Sequence, residues 1–116
     1  MGRDSLARVT SEQSNLEIVD RSDDRAIARL SGDLDIVTSE EVKRDLAQLI
    51  DDGHRELALD LSGVGFVDSS GLGVLVAVHR HAEAKGAVFV VRSVPPQVQR
   101  LFEITRLGDL LTVDGG

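Results

Sequence analysis

An α/β fold with a mixed, mostly parallel β-sheet, opened by an N-terminal hairpin and packed against helices, is predicted by three features of the 116-residue chain. Two apolar alternations near the start are joined by a polar turn. Three later segments carry apolar residues at helical spacing. Strand-like runs separate those segments, giving the order β-β-α-β-α-β-α-β, which implies right-handed crossovers and parallel pairing after the hairpin.

Residues 1–13 are polar and without period, and read as a frayed leader; the domain is expected over 14–113, with 114–116 as tail. Over residues 15–20, Leu16 and Ile18 alternate with Asn15, Glu17 and Val19, which suits a strand covered on one face. Ser22-Asp23-Asp24 makes a turn, and residues 25–31 alternate again with Ala26, Ala28 and Leu30 on one side, completing a hairpin. Gly32-Asp33-Leu34-Asp35 breaks the pattern. Thr38 with Glu41 three residues on has the form of a capping box, the stripe Val42, Leu46, Leu49, Ile50 follows a 3.6-residue period, and Gly53 supplies the stop. Residues 56–61 make a buried strand through Leu57, Leu59 and Leu61, and the apolar signal continues past Gly63 to Val67. Asp68-Ser69-Ser70-Gly71 opens a second helix with Leu72, Leu75, Val76 and His79 on one face and Lys85-Gly86 at its end. Residues 87–91 are apolar throughout, the mark of a strand covered on both faces. Pro95-Pro96 suits the first turn of a third helix striped by Val98, Leu101, Phe102 and Thr105, and residues 110–113 form a last edge strand.

Composition narrows the chemistry. With 13 Lys+Arg against 20 Asp+Glu the net charge is −7, and three Phe with no Tyr or Trp give no stacking platform, so neither nucleic acid nor an anionic membrane is an expected partner. The absence of Cys excludes disulfides, thiolate metal sites and thiol redox chemistry. The longest apolar run, Gly71 through Val78, is under half a bilayer span, and the N-terminus lacks a signal peptide's apolar segment. These features fit a soluble cytoplasmic protein.

In open α/β sheets, sites gather where strands end and helices begin. One junction here is chemically loaded: Phe66-Val67-Asp68-Ser69-Ser70-Gly71-Leu72-Gly73 brings a carboxylate and two hydroxyls to a helix start, with glycines that let another surface approach the backbone. Asp68 or Ser69 suits the N-cap. The same terminus favours negative charge, so a phosphate on Ser69 or Ser70 is compatible with capping. Enzyme templates fail on this stretch. Neither serine has glycine two before and two after it, Gly73 is followed by Val74 rather than Lys, and Gly63-Val64-Gly65 and Gly71-Leu72-Gly73 lack the third glycine of a dinucleotide site. His54 sits in a turn, and His79 and His81, two apart on a helix, point to different faces, so all three are expected on solvated surface. Asp33, Asp35, Asp60 and Asp68 lie at or near strand ends, where adjacent strands bring some of them together.

The run from Leu59 to Gly73, Leu-Asp-Leu-Ser-Gly-Val-Gly-Phe-Val-Asp-Ser-Ser-Gly-Leu-Gly, closely resembles the signature of bacterial anti-sigma factor antagonists of the STAS family. Leu30-Ser31-Gly32-Asp33-Leu34-Asp35 is similar to that family's Gly-Glu-Leu-Asp turn, with Asp33 in place of the glutamate, and Pro95 through Leu107 is similar to its third helix. The likeness implies the STAS fold and a phosphorylation switch rather than an enzyme. The serine directly after the aspartate is the family's acceptor, which places the modification on Ser69, with Ser70 as the secondary candidate. The resemblance also implies partners. The unphosphorylated form binds an anti-sigma factor, itself a GHKL-type serine kinase, and releases the sigma factor; the kinase then modifies the antagonist using Mg-ATP, and a metal-dependent serine phosphatase resets it. Asp35, Asp68, Ser69, Ser70, Gly71, Leu72 and Gly73 are the expected partner-binding residues, with no catalytic residue, metal or cofactor in this chain. Two other readings compete: a STAS scaffold in which Ser69 only caps a helix, and a small hydrolase pairing Ser69 with His79.

Overall fold

The computed structural model describes residues 15–114; the leader expected over residues 1–13 lies outside them. Five strands form one sheet in the order β1-β2-β3-β4-β5. β1 (Leu16–Arg21) pairs antiparallel with β2 (Arg25–Leu34), and β3 (Glu56–Val67), β4 (Val88–Arg92) and β5 (Thr112–Asp114) follow in parallel. Helices α1 (Ser39–Asp51), α2 (Ser69–Ala84) and α3 (Pro96–Thr105) fill the three crossovers, and a short α4 (Leu107–Leu110) precedes β5. Each crossover is right-handed by rule and each steps the same way across the sheet, so the three longer helices share one face. The α/β hairpin-and-crossover fold expected from the sequence is the fold observed.

Between sheet and helices lies one core. Leu30, Leu57, Leu59, Leu61, Phe89 and Val91 rise from the strands to meet Val42, Leu46 and Leu49 of α1, Leu75 and Val78 of α2, and Val98 and Phe102 of α3. The predicted stripe of α1 is buried entirely. On α2 the buried line is Gly71, Val74, Leu75, Val78 and Ala82, rotated from the expected one, so that Leu72, Val76 and His79 are only half-buried.

Several local expectations are corrected. β2 runs through Gly32 to Leu34, because Gly32 takes φ +81° and the register shifts on either side absorb the break. β4 is not covered on both faces: Phe89 and Val91 are buried while Val88 is exposed, since the helices occupy one side only. That other side carries a row of alternating charge, Glu17, Arg29, Asp60, Arg92 and Asp114, in register across all five strands. Arg29 Nε stands 3.8 Å from Asp60 Oδ2. Burial pushes the Asp60 carboxyl up, but hydrogen bonding from Ser62 and the charges of Arg29 and Arg92 outweigh it and hold the group below its ordinary value of 3.8. Asp114, expected in the tail, is the last residue of β5.

The histidines depart from the surface expectation too. His54 is 5% exposed, folded back by the positive φ of Gly53 so that its ring lies 2.8 Å from the Leu49 carbonyl at the end of α1. Arg21 Nε donates to Nε2 of the same ring at 3.4 Å, which leaves Nδ1 to carry the proton and donate to Leu49. His81 Nε2 meets Asp51 Oδ1 at 2.8 Å, joining the C-terminal ends of α2 and α1. That hydrogen bond, opposed by partial burial and assisted by the charges of His81 and Lys85, holds Asp51 below its ordinary value.

Candidate functional site

The junction singled out in the sequence is where β2 and β3 end side by side. Leu34 pairs with Val67, so Asp35 and Asp68 follow at the same level of neighbouring strands, and the Asp68 N–H donates to the Leu34 carbonyl at 3.2 Å. Asp68 is in extended conformation and is the N-cap of α2: its Oδ1 accepts from the Gly71 N–H at 3.1 Å. This resolves the choice between Asp68 and Ser69 as cap. It also sets Ser69 free of that duty, as the exposed first residue of the helix. The Ser69 and Ser70 amides have no acceptor among the described residues, leaving two N–H groups at the positive end of the helix dipole.

The turn before α1 is built differently from the expected capping box. Thr38 occupies the N-cap position but makes no side-chain bond to the helix; its hydroxyl donates to the Asp33 carbonyl at 3.0 Å and accepts from the Asp35 N–H at 3.2 Å. Asp35 organises the turn instead. Its Oδ1 accepts from the Val37 N–H at 3.0 Å and the Thr38 N–H at 3.2 Å, and its carbonyl accepts from the Ser39 N–H and hydroxyl. A local Asx-type turn of this kind satisfies the free donors that a capping box serves elsewhere.

With the polar groups of the turn folded inward, its apolar ones stand out. Ile36 is 74% exposed and Val37 83%, and Phe66, at the end of β3, is 52% exposed because Val67 takes the core-facing position. Sequence reasoning missed Ile36 and Val37, and read Phe66 only as part of the loaded junction. The signal at Ile36 and Val37 was two apolar residues between a strand and a helix, out of phase with the stripe that begins at Val42.

The glycines divide by role. Gly71 is buried, and a β-carbon there would overlap the Leu34 carbonyl oxygen and stand 2.8 Å from Leu34 Cγ and 2.9 Å from Val67 Cγ1, so only glycine lets α2 start this close to the sheet. At Gly73 a β-carbon would meet nothing within 4 Å. The structure therefore gathers Asp35, Asp68, Ser69, Ser70 and Gly71 at one end of the sheet, with Leu72 half-buried behind them and Gly73 on the open side of α2.

A hydrolytic pairing of Ser69 with His79 does not form. Ten residues of one helix separate them, about 15 Å of rise, and His79 faces Glu83 at 3.5 Å. Among the described residues no three His, Asp or Glu side chains converge as a metal site, and no helix is long and apolar enough to cross a membrane.

The family model described as "Mlab, STAS domain" matches residues 18–112. An anti-sigma-B factor antagonist of Staphylococcus aureus (strain NCTC 8325 / PS 47) is 32% identical over 103 residues, covering 88% of this chain and 95% of the relative. Among solved structures, a putative anti-sigma factor antagonist from Thermotoga maritima superposes with a TM-score of 0.77 at 24% identity, over 90% of this chain and 88% of that one. The Bacillus cell fate determinant SpoIIAA in its phosphorylated form superposes with a TM-score of 0.67 at 20% identity, over 86% and 91%. At these identities the structural likenesses establish the fold.

Proposed function

Because the chain belongs to the STAS family of anti-sigma factor antagonists, we propose that it works as a phosphorylation-controlled antagonist in the cytoplasm, with Ser69 as the switch. Unphosphorylated, it binds an anti-sigma factor that is also a GHKL-type serine kinase, and the sigma factor is released. The kinase supplies Mg-ATP: the Ser69 hydroxyl attacks the γ-phosphorus, its proton passes to a base of the kinase, and ADP leaves. A metal-dependent serine phosphatase removes the phosphate and restores binding.

The observation that carries this reading is an exposed Ser69 on the first turn of α2, beside a capping Asp68, with the Ser69 hydroxyl and two backbone amides unengaged among the described residues. A phosphate there adds about −1.5 to −2 charges. Within this chain the helix terminus accommodates it at a gain of up to about 1 kcal/mol, so the domain stays folded. Against a docked protein the same dianion, close to Asp68 and Asp35, must be desolvated or repelled. Disrupting a buried polar contact of that kind costs on the order of 2–5 kcal/mol, a roughly thirty- to several-thousandfold loss of affinity.

Titration calorimetry of Ser69→Ala and Ser69→Asp against the host's anti-sigma factor kinases tests the reading. Ser69→Ala is expected to bind persistently in the presence of ATP and Ser69→Asp to bind at least thirtyfold more weakly. Affinities within twofold of each other, or no binding by either variant or the wild type, would favour a scaffold in which Ser69 only begins a helix.

A further inference from the structure

A hollow lies at the opposite end of the molecule from Ser69. It occupies about 490 Å3 between the His54-Arg55 turn that leaves α1 and the Lys85-Gly86 turn that leaves α2, with Ile50 and Ala87 as its apolar lining. The 16 residues of α2 put about 24 Å of helix between it and Ser69. Its size falls within the roughly 300–1,000 Å3 of small-molecule pockets. Both turns pass through positive φ, +107° at Gly53 and +74° at Gly86, and a β-carbon at either would meet nothing within 4 Å, so the rest of the chain does not close over them.

Charge at this end is unusual for a chain of net charge −7. The acids are answered within the fold. Asp51 Oδ1 lies 2.8 Å from His81 Nε2 and 3.7 Å from Lys85 Nζ, Asp52 Oδ2 lies 3.6 Å from Arg21, and Glu56 lies 3.8 Å from Arg25. The carbonyl ends of the two helices are answered too. The Asp52 and Gly53 amides donate to Gln48 and Ile50, His54 Nδ1 to Leu49, and the Lys85, Gly86 and Ala87 amides to His81, Ala82 and Glu83. The negative poles of both helix dipoles are thereby weakened.

Two donors are left over. The Arg55 guanidinium has no ion pair or hydrogen bond among the described residues. The backbone N–H of His54, a residue 5% exposed, has no acceptor among them either, since the bonds to Leu49 and Arg21 are made by its ring. A buried donor without an acceptor is costly, and a bound anion removes the cost.

We infer that this hollow binds a small phosphate monoester, of the size of a hexose phosphate, held by the Arg55 guanidinium, the Lys85 ammonium and the His54 N–H. A planar guanidinium beside an ammonium and a backbone donor suits a phosphate dianion. The volume exceeds what a phosphate fills, and the backbone polar groups of the two turns suit hydroxyls; no aromatic side chain lines the hollow to stack on a base. The site goes beyond the phosphorylation switch and does not depend on it. Its occupant bridges the C-terminal ends of the two helices whose N-terminal ends are formed by Ser39 and Ser69.

Amide NMR titration of the full chain with glucose 6-phosphate, inorganic phosphate and glucose tests the site, with Arg55→Ala and, as a control on α3, Arg100→Ala. Both arginines are exposed, so both variants keep the wild-type fold. Glucose 6-phosphate is expected to move the His54, Arg55 and Gly86 signals saturably with a Kd below about 1 mM, at least tenfold tighter than inorganic phosphate. Arg55→Ala is expected to weaken it at least tenfold, Arg100→Ala to leave it unchanged, and glucose to move none of these signals. Shifts that do not saturate, that persist in Arg55→Ala, or that gather on another face of the domain would overturn the site. Equal affinity for inorganic phosphate would overturn the monoester as its ligand.

Discussion

Gly71 presses against the carbonyl oxygen of Leu34, the same oxygen that accepts the Asp68 N–H at 3.2 Å. This contact between the first turn of α2 and the end of β2 fixes where the helix starts, and so where Ser69 stands. It accounts for opposite expectations at two glycines two residues apart.

Gly71→Ala forces its methyl group into backbone, which cannot yield as a flexible side chain would. The expected cost is about 1–3 kcal/mol in urea denaturation. Gly73→Ala, in open space on the same helix, is expected to stabilise by up to about 1 kcal/mol. Equal effects at the two sites would contradict the packing described.

Ser69→Asp is expected to leave the domain at wild-type stability or up to about 1 kcal/mol above it, because a carboxylate at the start of a helix is favourable. Denaturation and binding measured on the same preparation separate the two effects. A variant that unfolds more easily would mean that the proposed switch acts through the fold.

His54→Ala leaves the Leu49 carbonyl without the ring that caps it at 2.8 Å. An unsatisfied buried acceptor costs about 1–3 kcal/mol, and the lost packing adds to it. Since His54 lies at the far end of α1 from Ser39, beside the proposed switch region, the loss is expected in stability and not in the affinity of the folded protein.

Asp60 has a folded pKa below its ordinary value of 3.8. As pH falls the unfolded chain therefore takes up this proton first, so the ionised group contributes stability above 3.8 that is lost as pH falls through the lower folded value. Asp60→Asn is expected to flatten the fall in stability below that point while leaving its slope near neutral pH unchanged; Asp51, also lowered, retains part of the acid dependence. Urea denaturation from about pH 2 to pH 6 reads the difference. An unchanged acid slope would contradict the role given to Ser62, Arg29 and Arg92.

How far the sequence could be read depended on how local each cause was. The hairpin, the buried face of α1 and the start of α2 at Ser69 follow from periodicity and from Asp68, whose capping bond spans three residues. Placing Asp35 level with Asp68 needed only the order of the elements. What was not legible came from distant partners. His54 in a glycine turn looks solvated until Arg21, thirty-three residues away, is brought beside its ring. Val88 looks buried until the crossovers place the longer helices on one face. Thr38 with Glu41 has the form of a capping box, but Asp35, on the other side of Thr38, takes the donors of the turn. Ile36 and Val37 were passed over because apolar residues between a strand and a helix read as the edge of an element rather than as a surface.

Tandem mass spectrometry of the protein isolated from its host addresses the central claim most directly. Trypsin releases residues 56–80 as one peptide, whose serines are Ser62, Ser69 and Ser70. A single phosphate whose fragment ions assign it to Ser69, and which disappears in the Ser69→Ala strain, is the predicted result. A phosphate confined to Ser62 or Ser70, or a peptide never modified while a partner kinase is active in the same cells, would contradict the account.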